Sequence, residues 1–390
     1  MPENWKIYKL TDLGSIARGK SKHRPRDASH LYGGKYPFIQ TGDVKAANHR
    51  LNTHTQTYSE AGLAQSKLWP KNTMCITIAA NIAETAILNY PACFPDSIIG
   101  FVADEEKCDI EFVEYLMQFF KKQIQTHSIG SVQDNINLGT FQRVEFTVPP
   151  LPEQKSIASI LSALDDKIEL NLQMNNTLEE MAMALYKHLF VDFGPFLDGE
   201  FVGSEIGEIP KGWEVKKLED LLEIKYGKDH KKLEKGTIPV YGSGGIMRYV
   251  DTFLYDQESI LIPRKGTLSN LFYLSEPFWS VDTMFYSKFR KQNFGKYIFY
   301  FLKSQDLASM DVGSAIPSLT TELLKRIKIL VPSTQEVEKF NEIVSGYFKV
   351  MESNKDENKS LTQLRDTLLP KLISGEVRVK DVEKTLSEVL

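Results

Sequence analysis

PEQKSIASILSALDDKIELNLQMNNTLEEMAMALYKHLF, residues 152–190, is the stretch that decides the fold. It contains no glycine, and its one proline, Pro152, stands where a helix start tolerates it, followed by the acidic Glu153. Apolar residues recur every three or four positions among frequent charges, which is typical of a long amphipathic helix. A second such stretch, STQEVEKFNEIVSGYFKVMESNKDENKSLTQLRDTLLPKLI, occupies residues 333–373, with Pro370 and Gly375 as expected stop signals.

The apolar spacing predicts that the two helices pair antiparallel as a coiled coil. In this register the polar layers coincide, Asn171 with Asn358 and Asn175 with Asn354, and a slip by one heptad would bury an amide against hydrocarbon at ~1 to 3 kcal/mol for each unpaired group. We expect Arg365 to keep its head in water. The alternative is that the seam asparagines are solvated at a loose crossing. The remaining layers pair Ile157 with Leu372, Leu161 with Leu368, Leu164 with Arg365, Ile168 with Leu361, Leu178 with Met351, Ala182 with Tyr347, Leu185 with Val344, and Leu189 with Phe340.

The chain also contains an internal repeat. Each copy holds short apolar runs (74–78 and 259–262), glycine-marked turns and one helical stretch (110–126 and 294–310), which indicate a compact α+β domain followed by a long helix. We therefore predict a domain at 1–150, a helix over 151–193, a linker at 194–204, a second domain at 205–332, a helix over 333–373 and a tail at 374–390, related by a pseudo-twofold. The matching segments are 4–13 with 212–221, Gly19-Lys20 with Gly227-Lys228, 37–42 with 239–244, Gly130-Ser131 with Gly313-Ser314, and Val148-Pro149 with Val331-Pro332.

One motif favours a different class of protein. GSIARGKS, residues 14–21, fits the phosphate-loop pattern G-x-x-x-x-G-K-[ST]. No buried apolar strand is visible before it, a charged segment with Pro25 follows it, and the second copy has Leu222 and Asp229 in place of Gly14 and Ser21. We interpret the stretch as the last turn of a short element followed by a basic loop, and keep a P-loop NTPase as an alternative.

Composition excludes several other classes. The chain has 390 residues, of which 42% are hydrophobic and 25% charged, as in an ordinary globular protein of two or three domains. A net charge of −4 argues against a uniformly basic nucleic-acid binder but permits basic patches. Without a membrane-length apolar run or a signal core, we expect a cytoplasmic location and no membrane partner. The scattered histidines and Cys75, Cys93 and Cys108 lack ligand spacing, so we expect neither a disulfide framework, a metal site nor a cofactor.

Several short segments lie next to the predicted boundaries between domains and helices. They are residues 148–154 (VPPLPEQ), 189–196 (LFVDFGPF), 207–213 (GEIPKGW) and 368–376 (LLPKLISGE); the second junction, 331–336 (VPSTQE), departs from the first. With the repeat of domain and long helix, the chain resembles the DNA-specificity subunit of Type I restriction-modification enzymes. The resemblance implies two α/β target-recognition domains, each binding half of a split site in double-stranded DNA, separated by two long antiparallel helices that dock two methyltransferase subunits, with restriction and translocase subunits joining the complex.

The resemblance implies no active site, and the residues agree with a DNA reader. There is no glycine-rich methyl-donor loop, and the nearest string to an Asn-Pro-Pro-aromatic methylation motif, residues 89–92 (NYPA), lacks the second proline. A third hypothesis is a protein scaffold whose paired helices are its whole function.

The candidate DNA-binding residues fall into two sets, one for phosphates and one for base edges. For either set the alternative is structural, a solvated charged loop or a turn residue. The phosphate candidates are Arg18, Lys20, Lys22, Arg24 and Arg26 in the first copy and Lys225, Lys228, Lys231 and Lys232 in the second. The base-edge candidates are Gln40, Thr41, Tyr241, Ser243 and Arg248.

Overall fold

The structure, a computed structural model, describes residues 4–79, 81–127, 138–291, 293–310 and 318–379. Within these ranges no helix combines the length and the apolar character needed to span a bilayer. The repeat matches Gly130-Ser131 and Gly313-Ser314 lie outside the described residues. The chain divides into two units, and each is described by itself: unit 1 comprises Met1–Leu172 and Asn354–Leu390, and unit 2 comprises Gln173–Ser353.

Unit 1 is a mixed α/β domain with parts of both long helices. The strands are β1 (Lys6–Lys9), β2 (Gly14–Arg18), β3 (Tyr32–Phe38), β4 (Arg50–Leu51), β5 (Gln56–Tyr58), β6 (Leu68–Trp69), β7 (Thr73–Thr77), β8 (Thr85–Leu88), β9 (Ala92–Cys93), β10 (Ile98–Ala103) and β11 (Glu145–Val148). One sheet has the order β2-β10-β7-β8-β4, a second has the order β5-β3-β9-β6, and β1 pairs antiparallel with β11. The helices are α1 (Leu10–Leu13), α2 (Thr41–Ala46), α3 (Glu60–Ala64), α4 (Ile110–His127), α5 (Leu138–Arg143) and the first part of α6 (Leu151–Phe190), with a 3₁₀ turn at Ser29–Leu31.

Unit 2 repeats this arrangement. The strands are β12 (Phe201–Ser204), β13 (Gly207–Pro210), β14 (Glu214–Lys217), β15 (Leu222–Tyr226), β16 (Lys235–Gly242), β17 (Gly245–Val250), β18 (Ser259–Pro263), β19 (Phe272–Leu274), β20 (Trp279–Ser280), β21 (Met284–Phe289) and β22 (Lys328–Val331). The sheets of unit 2 have the orders β15-β21-β18-β19 and β17-β16-β20, with antiparallel pairs β14-β22 and β12-β13. The helices are α7 (Leu218–Leu221), α8 (Gly295–Ser304), α9 (Thr321–Arg326) and part of α10 (Thr334–Ser374), with a 3₁₀ turn at Gly194–Phe196.

The repeat extends to side-chain detail. In both units a short strand pairs with the strand that precedes a long helix, β1 with β11 and β14 with β22. The one-turn helix after the first of these strands, α1 or α7, is capped in the same way in both units. Lys9 N donates to Asp12 Oδ2 at 2.8 Å, and Lys217 N donates to Asp220 Oδ2 at 3.0 Å. The predicted fold class, α+β with two long antiparallel helices and an internal repeat, is therefore confirmed.

The ends of the long helices follow from local chemistry. At the start of α10, Ser333 and Glu336 form a capping box: Ser333 N donates to Glu336 Oε2 at 3.1 Å, and Glu336 N donates to Ser333 Oγ at 3.4 Å. The helix ends at Ser374, before Gly375 with a φ of 72°. The prediction that Pro370 acts as a stop was wrong, because α10 continues through it for one more turn.

Two further sequence predictions need correction. Residues 14–18 are not the last turn of a short element: they form β2, which pairs along its length with β10, and α1 ends one residue before it. The helical stretch predicted at 294–310 is shorter, because α8 ends at Ser304 and Asp306 caps a following turn by accepting from Ser309 N at 3.2 Å. In the first copy, α4 matches the predicted range within one residue.

In unit 1 the seam of the helix pair belongs to the domain core. Ile157, Leu161 and Leu372 are buried in one cluster with the strands and α4. Arg365 departs from the expectation that its head lies in water. Its guanidinium pairs with Asp165 Oδ1 at 2.6 Å, and the two side chains are only 17% and 4% exposed. Asp165 follows the seam residue Leu164 and turns inward, which a heptad count that scores apolar positions does not detect.

In unit 2 the same seam packs into a second core. Ala182, Phe340 and Val344 are fully buried, and Leu185, Leu189 and Tyr347 pack against them. In unit 2 both helices thus pack against the strands and α8 as well as against each other.

Candidate nucleic-acid interface

The basic loop of unit 1 is fixed by its backbone. Gly19 N donates to Ile98 O at 2.9 Å and Lys20 N to Phe94 O at 3.1 Å. A Cβ on Gly19 would lie 2.3 Å from the carbonyl oxygens of Phe94 and Pro95, so only glycine permits this approach. Lys20 therefore leaves the sheet at a defined point, with its side chain exposed.

These hydrogen bonds remove the structural basis for a phosphate loop. Such a loop needs free backbone N–H groups and a helix that begins at its lysine. Here the amides of Gly19 and Lys20 are occupied by carbonyls, Gly14–Arg18 is a strand, and residues 19–23 are not helical. The Ser21 hydroxyl is buried at 3.5 Å from Tyr58 Oη.

The candidate cations of unit 1 differ in their surroundings. Arg18, Lys20 and Lys22 are exposed and form no ion pair with any described residue. Arg24 is committed to its own loop, since its Nη1 donates to Ser21 O and His23 O, both at 2.8 Å. Arg26 pairs with Asp96 at 2.8 Å.

Lys67, which is not among the predicted candidates, lies near this basic loop. Its Nζ lies 3.4 Å from the centre of the Trp69 ring. Partial burial, and then the nearby charge of Lys20, lower the pKa of Lys67. Lys67 is separated from Lys20 by three strands in sequence, so no local pattern could have joined them.

Unit 2 builds its basic loop in the same way. Gly227 N donates to Met284 O at 2.9 Å and Lys228 N to Ser280 O at 2.8 Å, and a Cβ on Gly227 would lie 2.0 Å from Val281 O. Trp279 Nε1 donates to Lys228 O at 3.0 Å. Lys228, Lys231 and Lys232 are exposed and lack an acidic partner in the described part of the chain, whereas Lys225 pairs with Glu223 at 2.6 Å.

The base-edge candidates of unit 1 lie at the end of β3. Gln40 precedes α2, its N–H donates to Asp43 Oδ2 at 2.8 Å, and its Nε2 donates to Gln56 Oε1 at 2.6 Å. Thr41 is the first residue of α2 and is partly exposed. Gln40 therefore also has a structural role at this turn.

The corresponding candidates of unit 2 are more tightly held. The Tyr241 ring lies 5.4 Å from the Phe272 ring, and burial raises the pKa of Tyr241 to about 12. Arg248 Nη2 donates to Leu233 O at 2.7 Å and so supports the basic loop. Ser243 stands at the tip of the β16-β17 hairpin, where its carbonyl accepts from Asn270 Nδ2 at 2.9 Å.

Seam asparagines of the helix pair are hydrogen-bonded across it in each unit. In unit 1, buried Asn171 donates from Nδ2 to Asn358 Oδ1 at 2.8 Å and to Glu357 Oε2 at 2.7 Å, and Asn358 Nδ2 donates to Ile168 O at 3.3 Å. Within unit 2, Asn175 Nδ2 donates to Met351 O at 3.3 Å. The pairing of Asn175 with Asn354 stays a prediction.

Comparison with known proteins agrees with this architecture. A family model described as Type I restriction modification DNA specificity domain matches residues 2–180 and again residues 210–363. The chain is 27% identical to the Type I restriction enzyme MjaIX specificity subunit of Methanocaldococcus jannaschii, across 98% of this chain and 95% of that protein. It is 25% identical to the Type I restriction enzyme HindI specificity subunit of Haemophilus influenzae, across 96% and 100%.

A solved structure shares the fold. The Type-I restriction-modification system S subunit from M. genitalium matches with a TM-score of 0.60 at 20% identity, covering 95% of this chain and 96% of that one. Because the family model covers most of the chain in two copies, and each copy corresponds to one domain and one long helix, the chain belongs to the family of Type I restriction-modification DNA specificity subunits.

Proposed function

We propose that the chain is the non-catalytic DNA-recognition subunit of a Type I restriction-modification complex. Each unit binds one half of an asymmetric, bipartite duplex site. Two methyltransferase subunits dock on the long helices, and restriction and translocase subunits join that core. Family membership and the names of the relatives support this proposal.

One observation carries the DNA-binding part of the proposal. In both units the backbone amides of a Gly-Lys pair donate two hydrogen bonds to the segment that leads into the neighbouring strand, β10 or β21. The lysine of each pair and further lysines of the loop are exposed. An isolated basic loop is usually a solvated surface, but a rigid basic loop retained in both copies offers cations at defined positions for phosphates. The units differ around this shared feature, with Gln40-Thr41 in the place of Gly242-Ser243, so we infer that the half-sites differ in sequence.

The length of the helices supports a split site. At ~1.5 Å per residue, the 40 residues of α6 extend over roughly 60 Å. With lateral offsets at the helix ends, we infer that the half-sites lie between one and two DNA turns apart.

Salt-dependent binding to a mixed-sequence duplex tests the proposed role of the lysines in binding phosphates. The full chain, with its methyltransferase partner, should bind more weakly as salt rises. Replacing Lys228, Lys231 and Lys232 together by alanine should reduce the slope of log Kd against log salt by about 0.9 for each phosphate that the basic loop no longer neutralises.

A matched control removes three other lysines of unit 2, each of which is paired with a glutamate. These are Lys211, Lys216 and Lys328, whose partners are Glu200, Glu214 and Glu205. The control should leave the slope unchanged. An equal reduction in both variants would refute the assigned phosphate-binding role, and a complex without any duplex affinity would leave the scaffold hypothesis.

A further inference from the structure

A short backbone segment, residues 280–284, which we call the connector, brings three loops of unit 2 together. Its Ser280 O accepts from Lys228 N at 2.8 Å, and its Val281 N donates to Tyr241 O at 3.0 Å. Its Thr283 O accepts from Arg264 N at 2.8 Å. The basic loop, the end of β16 and the residues after β18 therefore meet at one edge of the unit.

Arg264 is held at this edge in a defined orientation. Its guanidinium carbon lies 5.5 Å from the centre of the Tyr226 ring, and its Nη1 donates to Asp282 O at 3.3 Å. Tyr226 is 51% exposed. A guanidinium that rests on an aromatic face and is anchored through one N–H keeps its plane fixed and still has further N–H donors.

The loop that follows Arg264 is fastened to the tip of the β16-β17 hairpin. Gly266 has a φ of +89°, and a Cβ there would lie 2.7 Å from Ser243 Oγ. Asn270 Nδ2 donates to Ser243 O at 2.9 Å. The candidate base-edge residue Ser243 and the Arg264 loop thus form one surface.

Unit 1 lacks this arginine. There, Ile78 N donates to Ser97 O at 3.0 Å, at the end of β7, in the position that Arg264 N occupies at the end of β18. An element common to both units thus ends in an apolar residue in one and in Arg264-Lys265 in the other. A cation found in one copy suits discrimination between half-sites better than general attachment to DNA.

We propose that Arg264 recognises a guanine in the half-site bound by unit 2, with Tyr226 as its support and Lys265 on a neighbouring phosphate. This inference rests on the proposed function and deepens it. Guanine presents O6 and N7 together in the major groove, and the paired N–H groups of a held guanidinium match that edge. The flexible ammonium groups of Lys228 and Lys265 suit phosphates.

The test selects preferred sequences from a pool of randomised duplexes, using the full chain with its methyltransferase partner. The wild type should select a bipartite motif. Arg264→Lys and Arg264→Gln should each reduce the preference for guanine at one position of one half by about tenfold, leaving the other positions intact. Tyr226→Leu should reduce the same preference in part, and Lys265→Ala should weaken all sequences equally.

Arg290→Ala is the matched control, since this exposed arginine follows the opposite end of β21 and should leave the motif unchanged. If Arg264→Gln retains the full motif, or weakens all sequences equally, Arg264 does not read a base and the inference is overturned. A wild type that binds duplexes without selecting any motif would overturn the proposed function itself.

Discussion

Asp165 connects three elements of unit 1 through side chains that are almost completely removed from water. It accepts from Tyr115 Oη at 2.7 Å through Oδ2 and from Arg365 at 2.6 Å through Oδ1. The Tyr115 ring stacks on His49 at 4.5 Å, and His49 Nδ1 lies 2.7 Å from buried Glu114 Oε2. A polar chain of this kind is directional, so it fixes how the recognition domain of unit 1 attaches to its helices.

Replacement of Asp165 should therefore strongly destabilise unit 1. Asp165→Ala leaves Arg365 and Tyr115 without their shared acceptor in a dry site, and we expect the stability of unit 1 to fall by roughly 3 to 5 kcal/mol. Hydrogen exchange of peptides from residues 157–172 should show the decrease.

Asp366→Ala is the control for this prediction. Asp366 pairs with the same arginine at 2.8 Å but is 61% exposed, so its removal should cost at most about 1 kcal/mol. Equal effects of the two substitutions would show that burial does not determine the strength of this network.

At the scale of the helices, the Asn171 layer determines register. Asn171 is fully buried, and Lys167 Nζ donates to its Oδ1 at 3.0 Å in addition to the hydrogen bonds with Asn358 and Glu357. Heptad counting located this layer, because the step between seam positions continued through the asparagines. It did not locate Lys167 and Glu357, which flank the seam and join it only when the helices pair.

A single and a double substitution in this layer should differ in stability. Asn171→Leu leaves the Asn358 amide facing hydrocarbon and should destabilise unit 1 by about 1 to 3 kcal/mol. Adding Asn358→Leu should recover most of that stability, since two apolar partners pack without an unmet hydrogen bond. Exchange rates of residues 354–372 measure both, and a double variant no more stable than the single one would contradict the pairing.

At the scale of the whole chain, most of the features that could be predicted from the sequence depend on the internal repeat. The sequence predicts two domains, two helices and two Gly-Lys loops because each of these features occurs at equivalent positions in both copies. Lys67 was missed because it comes near Lys20 only in the folded domain, with three strands between them in sequence. Arg264 was missed because Tyr226 and the connector, which hold it, lie on other strands. Arg264 also lacks a counterpart in the other copy, so comparison of the two copies could not identify it.

The modular organisation predicts the result of a domain exchange. Replacing residues 1–150 by the equivalent domain of another specificity subunit should change one half of the recognised motif and preserve the other. Sequencing methylated adenines in cells that carry each version is the measurement. A wild-type motif that is contiguous or palindromic, or a chimaera that alters both halves, would contradict the bipartite proposal.

Unit 1 is assembled from two distant parts of the chain, and this bears on its synthesis. Leu372, Ile373 and Val379 are buried in the same core as Trp5 and Phe112, whereas unit 2 is one continuous segment. On the ribosome, domains generally fold as their residues emerge, starting from the N-terminus. Here we expect the reverse order: the domain that is translated first waits with an open core for residues 354–379, while the domain translated second can fold as soon as residue 353 has emerged.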